Sequence, residues 1–89
     1  RESPSLKIFK KLIVKKYNIN YKDPYIKNIN VNGKIYYSTS TNNYNKFDAI
    51  LLLTDHSDFN YKKILKEGKL IFDTRGKYKK LNSSKIYHL

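Results

Sequence analysis

The sequence contains no cysteine. Neither a disulfide framework, nor a thiolate metal site, nor a cysteine nucleophile is therefore available within these residues. Glycine is almost as scarce: Gly33, Gly68 and Gly76 are the whole supply, so no G-x-G-x-x-G loop exists to cradle a dinucleotide. The two histidines, His56 and His88, stand too far apart in sequence to suggest a metal site, and no metal is expected. Long hydrophobic runs are missing too. The longest, Ala49-Ile50-Leu51-Leu52-Leu53, is far too short to cross a bilayer, and no signal-peptide pattern opens the chain. The expectation is a cytoplasmic protein without a membrane partner. Arg1 rather than methionine comes first, which reads as a piece of something longer.

Acidic residues are few, 7 against 19 basic ones, for a net charge of +12. Such an excess can mark a nucleic-acid or anionic-surface partner. Here Lys, Asn, Ile and Tyr make up 46 of 89 residues, and all four are encoded by AT-rich codons. The lysines are spread along the chain and arginine occurs only at Arg1 and Arg75, whereas nucleic-acid binders concentrate both cations on one face. Codon bias is the reading adopted, and nucleic acid is not the expected partner. The apolar content, 39%, falls in clusters, which argues for a packed core in one small domain.

Ser3-Pro4 has the form of a helix cap followed by proline at the first helical position, with Glu2 beside the positive end of the dipole. Leu6, Phe9, Leu12, Ile13 and Tyr17 then recur at helical spacing and predict an amphipathic helix over about residues 4–17. Residues 19–23 alternate as a short strand that stops at the Asp23-Pro24 turn. Residues 26–34 read as loop, Lys34 to Tyr37 as a second strand, and the polar stretch from Ser38 to Lys46 as loop or one helical turn. Ala49 to Leu53 predicts a strand buried on both faces of a parallel sheet. A helix over about 59–67 ended by Gly68, a strand Leu70-Ile71-Phe72, and an edge strand near Lys85 to Leu89 follow. Strand, helix, strand in this spacing is a βαβ unit, and such sheets bind ligands beyond the carboxyl ends of their strands. Two polar tips land there: Thr54-Asp55-His56-Ser57-Asp58 and Asp73-Thr74-Arg75-Gly76.

Four segments in order carry a resemblance: Arg1-Glu2-Ser3-Pro4, Tyr21-Lys22-Asp23-Pro24-Tyr25, Phe47 to His56, and Leu70-Ile71-Phe72-Asp73-Thr74-Arg75. Together they resemble the C-terminal, UDP-binding domain of the UDP-glucose/GDP-mannose dehydrogenase family. The resemblance implies an α/β fold, a Rossmann-like three-layer sandwich with a mainly parallel sheet. The strand that normally precedes Arg-Glu-Ser-Pro, which lies inside the sheet, would be lacking, and its loss should leave an open edge or groove. It implies that residues 1–89 are part of the UDP-binding domain of an NAD-dependent UDP-sugar 6-dehydrogenase of polysaccharide biosynthesis. Such an enzyme oxidises the sugar C6 hydroxyl to a carboxylate and is homodimeric when intact. By resemblance, Arg75 contacts the UDP-sugar and Arg1 reaches toward NAD bound mainly by another domain. No residue here is expected to be catalytic.

The residues themselves allow plainer roles. Arg75 could form a surface ion pair with Asp73 or Glu67, and Arg1 could be a mobile terminus. Asp55 or Ser57 would cap the following helix, with the His56 ring packing on the loop. Asp23 reads as a turn former rather than a ribose ligand. The competing function is a non-catalytic basic α/β module binding nucleic acid or another polyanion, or a decayed remnant serving as an interaction surface.

Overall fold

A computed structural model describes residues 4–88. The chain divides into two compact units with the boundary between Ser40 and Thr41, and each is described by itself.

In the first unit, helix α1 (Pro4–Val14) begins on proline, whose missing N–H would be orphaned at a helix start in any case. The expected cap, Ser3, lies outside the described residues, as do Arg1 and Glu2. The helix stops three residues before the periodicity suggests, because Lys16 turns into the left-handed region at φ +66°. The N–H of Tyr17 then reaches Leu12 O at 3.3 Å and that of Lys16 reaches Ile13 O at 2.9 Å. This is a Schellman closure with lysine where glycine is usual. Phe9 is the buried residue of the helix, edge-on to Tyr21 at 5.5 Å and to Tyr36 at 5.4 Å.

Two expectations fail in this unit. Residues 19–23 form no strand. They are tied instead by Thr39 N–H to Tyr21 O at 2.8 Å and by Ser38 Oγ, which accepts from Asp23 N–H at 2.9 Å and donates to Asp23 O at 3.1 Å. Residues 26–34 are not all loop: β1 (Asn28–Val31) pairs antiparallel with β2 (Lys34–Tyr37). Asn32 and Gly33 join them with φ of +53° and +87°. That is the two-residue turn whose twist suits a hairpin, and Asn-Gly is its strongest sequence sign. Asp23 acts as the turn former expected, its Oδ1 accepting the N–H groups of Tyr25 at 2.8 Å and Ile26 at 3.1 Å.

In the second unit a 3-10 turn (Tyr44–Lys46) precedes β3 (Ile50–Leu52), α2 (Tyr61–Glu67), β4 (Ile71–Asp73) and β5 (Ile86–His88). The three strands form one parallel sheet in the order β3-β4-β5, so β3 and β5 are its edges. This is the mixed α/β, Rossmann-like class that the sequence predicts. One face of the sheet presents Leu52, Ile71 and Ile86 to a core shared with Tyr44, Ile64 and Tyr78. The other carries Leu51, Phe72 and Tyr87 in register, and Leu51 and Tyr87 are 41% and 47% exposed. The strand after Phe47 is thus buried on one face rather than two, because the single helix of this unit covers one side. Gly68 ends α2 at an ordinary φ of −64°. It is needed for space instead: a Cβ there would sit 2.7 Å from Ile64 O and 3.1 Å from the Ile71 side chain. Lys85 Nζ donates to Leu65 O, placing a cation at the negative end of the helix.

Candidate functional site

Because β3 and β4 are parallel neighbours, both polar tips open at the same end of the sheet. Thr74 staples them, its backbone N–H (3.3 Å) and its Oγ1 (2.5 Å) both donating to Leu52 O. The tips are organised differently.

After β3, Tyr61 is the hub. Its hydroxyl donates to Asp55 Oδ1 at 2.9 Å and accepts the His56 N–H at 3.1 Å. Lys77 Nζ completes the cluster, 3.1 Å from Asp55 Oδ1 and 4.5 Å from the centre of the Tyr61 ring. Hydrogen bonds from Lys77 and Tyr61 hold the Asp55 carboxyl below its usual range, and the charge of Arg75 adds to this. The His56 ring packs edge-on against Phe59 at 5.3 Å, as expected of a loop histidine. The helix cap is neither Asp55 nor Ser57. Asn60 takes that place, its side chain accepting the Lys63 N–H at 3.1 Å. The helix begins at Tyr61, two residues later than its apolar spacing suggests, and a cap must directly precede the first helical residue.

After β4, Asp73 is the hub, and it is 1% exposed. Its Oδ1 accepts the N–H groups of Arg75 and Lys77, both at 3.1 Å, and its Oδ2 that of Tyr78 at 2.8 Å. His88 Nδ1 stands 3.8 Å from Oδ2. Burial alone would raise the Asp73 pKa, but the N–H groups of Tyr78, Lys77, Arg75 and Gly76 outweigh it and hold the carboxyl below its usual range. Gly76 sits at φ +71°, which lets the turn curl around that carboxylate. The Tyr78 hydroxyl, pushed up to about 12 by burial and then by Asp73, donates to Tyr61 O at 2.5 Å and ties the two tips together again.

Arg75 is exposed at the rim. Neither ion pair open to it in the sequence forms. Asp73 receives its backbone N–H, while Glu67 meets Lys63 Nζ at 3.8 Å and the Tyr44 N–H at 3.1 Å. Among the described residues the guanidinium has no hydrogen bond or ion pair. Arg1 falls outside the described residues. Sequence reasoning missed Tyr61, Lys77, Tyr78 and the inward role of Asp73. An aspartate closing a buried strand three residues before a glycine was the available signal for the last of these.

The UDP-glucose/GDP-mannose dehydrogenase family, UDP binding domain, matches residues 1–80 of the chain. The chain belongs to this family. Its UDP-binding domain implies a UDP-sugar ligand, and the family implies NAD use by the full enzyme. No curated protein and no solved structure matches the chain. Among the described residues no group of three or more His, Asp or Glu side chains could hold a metal ion, and no helix is long and apolar enough to cross a membrane. A cavity of about 390 Å³ lies within the first unit, lined by Phe9, Ile13, Tyr21, Lys34 and Tyr36 among others. No residue assigned to ligand binding lines it.

Proposed function

We propose that residues 1–89 form the UDP-sugar-holding part of an NAD-dependent UDP-sugar 6-dehydrogenase, a cytoplasmic homodimer. The sugar C6 hydroxyl would be oxidised to a carboxylate on other segments of that enzyme. The observation that carries this reading is Arg75: an exposed guanidinium with no hydrogen bond or ion pair among the described residues, held just beyond the carboxyl end of β4 in a UDP-binding family. A planar, permanently charged fork of donors suits phosphate and ribose oxygens.

NAD itself does not fit these residues. The connection from β3 to α2, where a glycine-rich loop would cradle its pyrophosphate, contains no glycine and is filled by the packed rings of His56 and Phe59. Arg1 would reach toward NAD held by another segment of the enzyme. A thioester step likewise lies outside these residues, which contain no cysteine.

Titrating the 89-residue chain with UDP and following amide signals tests the reading. The Arg75 amide and its neighbours should shift, and Arg75→Ala should weaken binding about 10- to 100-fold, the worth of a hydrogen bond to a charged group. No shift at millimolar UDP would remove the proposal. Steeply salt-dependent binding to random duplex DNA, with no preference for UDP, would put the basic-module reading in its place.

A further inference from the structure

Asp73 is the one charged side chain among the described residues that is withdrawn from solvent, and its hydrogen bonds to Arg75, Lys77 and Tyr78 all point into the turn that carries Arg75. We propose that Asp73 is a positioning residue for nucleotide binding. It fills, from the protein side, the anion-binding concavity formed by the N–H groups of residues 75–78, and so fixes where the Arg75 guanidinium stands. This rests on the reading of Arg75 given above.

Successive backbone N–H groups that converge in a tight turn form a nest with a positive interior, and such nests hold phosphates. Here the nest is already occupied. The Asp73 oxygens take the N–H groups of Arg75, Lys77 and Tyr78 at 2.8–3.1 Å, so a phosphate has no free backbone donor to meet at these three positions. An incoming anion is left to the side chains of the turn. Of the two cations that follow Asp73 most closely in sequence, Lys77 is committed to Asp55 and to the Tyr61 ring, whereas the Arg75 guanidinium has no hydrogen bond or ion pair among the described residues. The turn therefore delivers one available guanidinium on a backbone already ordered from beneath. Ordering completed in folding need not be supplied again when the ligand binds. Loosening the turn should weaken nucleotide binding only through Arg75.

A double-mutant cycle tests this, with UDP affinity measured on the 89-residue chain, on Asp73→Asn, on Arg75→Ala and on the double variant. Asparagine keeps one acceptor oxygen and the side-chain volume but turns a donor toward the Tyr78 N–H. We expect Asp73→Asn to weaken UDP binding about tenfold, and the double variant to bind no more weakly than Arg75→Ala alone. Additive losses, or a folded Asp73→Asn that binds UDP as the unaltered chain does, would overturn the inference while leaving Arg75 as the ligand contact. If the unaltered chain does not bind UDP, the reading of Arg75 fails first and this inference with it.

Should Asp73→Asn not fold, acid titration of the unaltered chain supplies the comparison. The Asp73 carboxyl faces the N–H groups of Arg75, Gly76, Lys77 and Tyr78 and, across 3.8 Å, the His88 ring. Its protonation can be followed by the carboxyl carbon shift. The affinity advantage of the unaltered chain over Arg75→Ala should shrink toward one as Asp73 protonates. An advantage that persists through that protonation would overturn the inference.

Discussion

The two strand tips differ in where they keep their charge. The tip after β3 carries its carboxylate outward, where Asp55 is 47% exposed and paired with Lys77 and Tyr61. The tip after β4 carries its carboxylate inward, where Asp73 is 1% exposed and bonded to backbone N–H groups. Solvent screens the first arrangement, so it adds little to stability and tunes the local field instead. The second replaces water around the carboxylate entirely, so the turn and the ion depend on each other.

Removing the inward charge should therefore have the largest effect. Asp73→Ala leaves the buried Tyr78 N–H and the part-buried N–H groups of Arg75 and Lys77 without their acceptor and should lower unfolding stability by about 3 kcal/mol, measured by urea denaturation. The pH dependence has a definite sign. A folded-state pKa below the unfolded value contributes stability that is present above about pH 4 and is lost as pH falls through the folded value. Denaturation midpoints of the unaltered chain should fall below about pH 4, and those of Asp73→Ala should fall less. Equal acid sensitivity would erase the distinction between the tips.

A smaller effect is expected at the helix that follows the first tip. Asn60→Ala removes the α2 cap and should cost about 1 kcal/mol. An equally large loss in Ser57→Ala would return the cap to the tip itself. The smallest effect belongs to Asp55→Asn. The unfolding midpoint should stay where it is, and UDP affinity at low salt should rise a few-fold, because a negative charge beside Arg75 has gone. A fall in the midpoint as large as that of Asp73→Ala would show that exposure does not separate the tips.

Much of the second unit is legible from residue pattern. The apolar run through Leu52, the break at Gly68, and the Ile71 and Ile86 strands all announce a parallel sheet with one crossover helix, although the run overstates the burial of β3, an edge strand covered on one face. The first unit is less legible. In β1 Ile29 and Val31 alternate with Asn28 and Asn30, but asparagine is disfavoured in strands and the run is four residues long, so the Asn32-Gly33 turn is the stronger sign of the hairpin. At the site, Arg75 could be picked out by type and position. That neither Asp73 nor Glu67 pairs with it could not, because both are near in sequence and only the fold turns them to backbone N–H groups.

By itself, the sequence determined which chemistry these residues can perform and which they cannot. Without cysteine or a glycine loop they hold no thioester and cradle no dinucleotide, since no arrangement in space supplies a missing functional group. The tertiary structure alone decided how each charge is used. Asp55 and Asp73 are the same side chain, one just beyond β3 and the other at the end of the adjacent β4. One faces solvent and a lysine, the other a closed turn of N–H groups, because packing around Tyr78 and Ile71 shuts water out of one position and not the other.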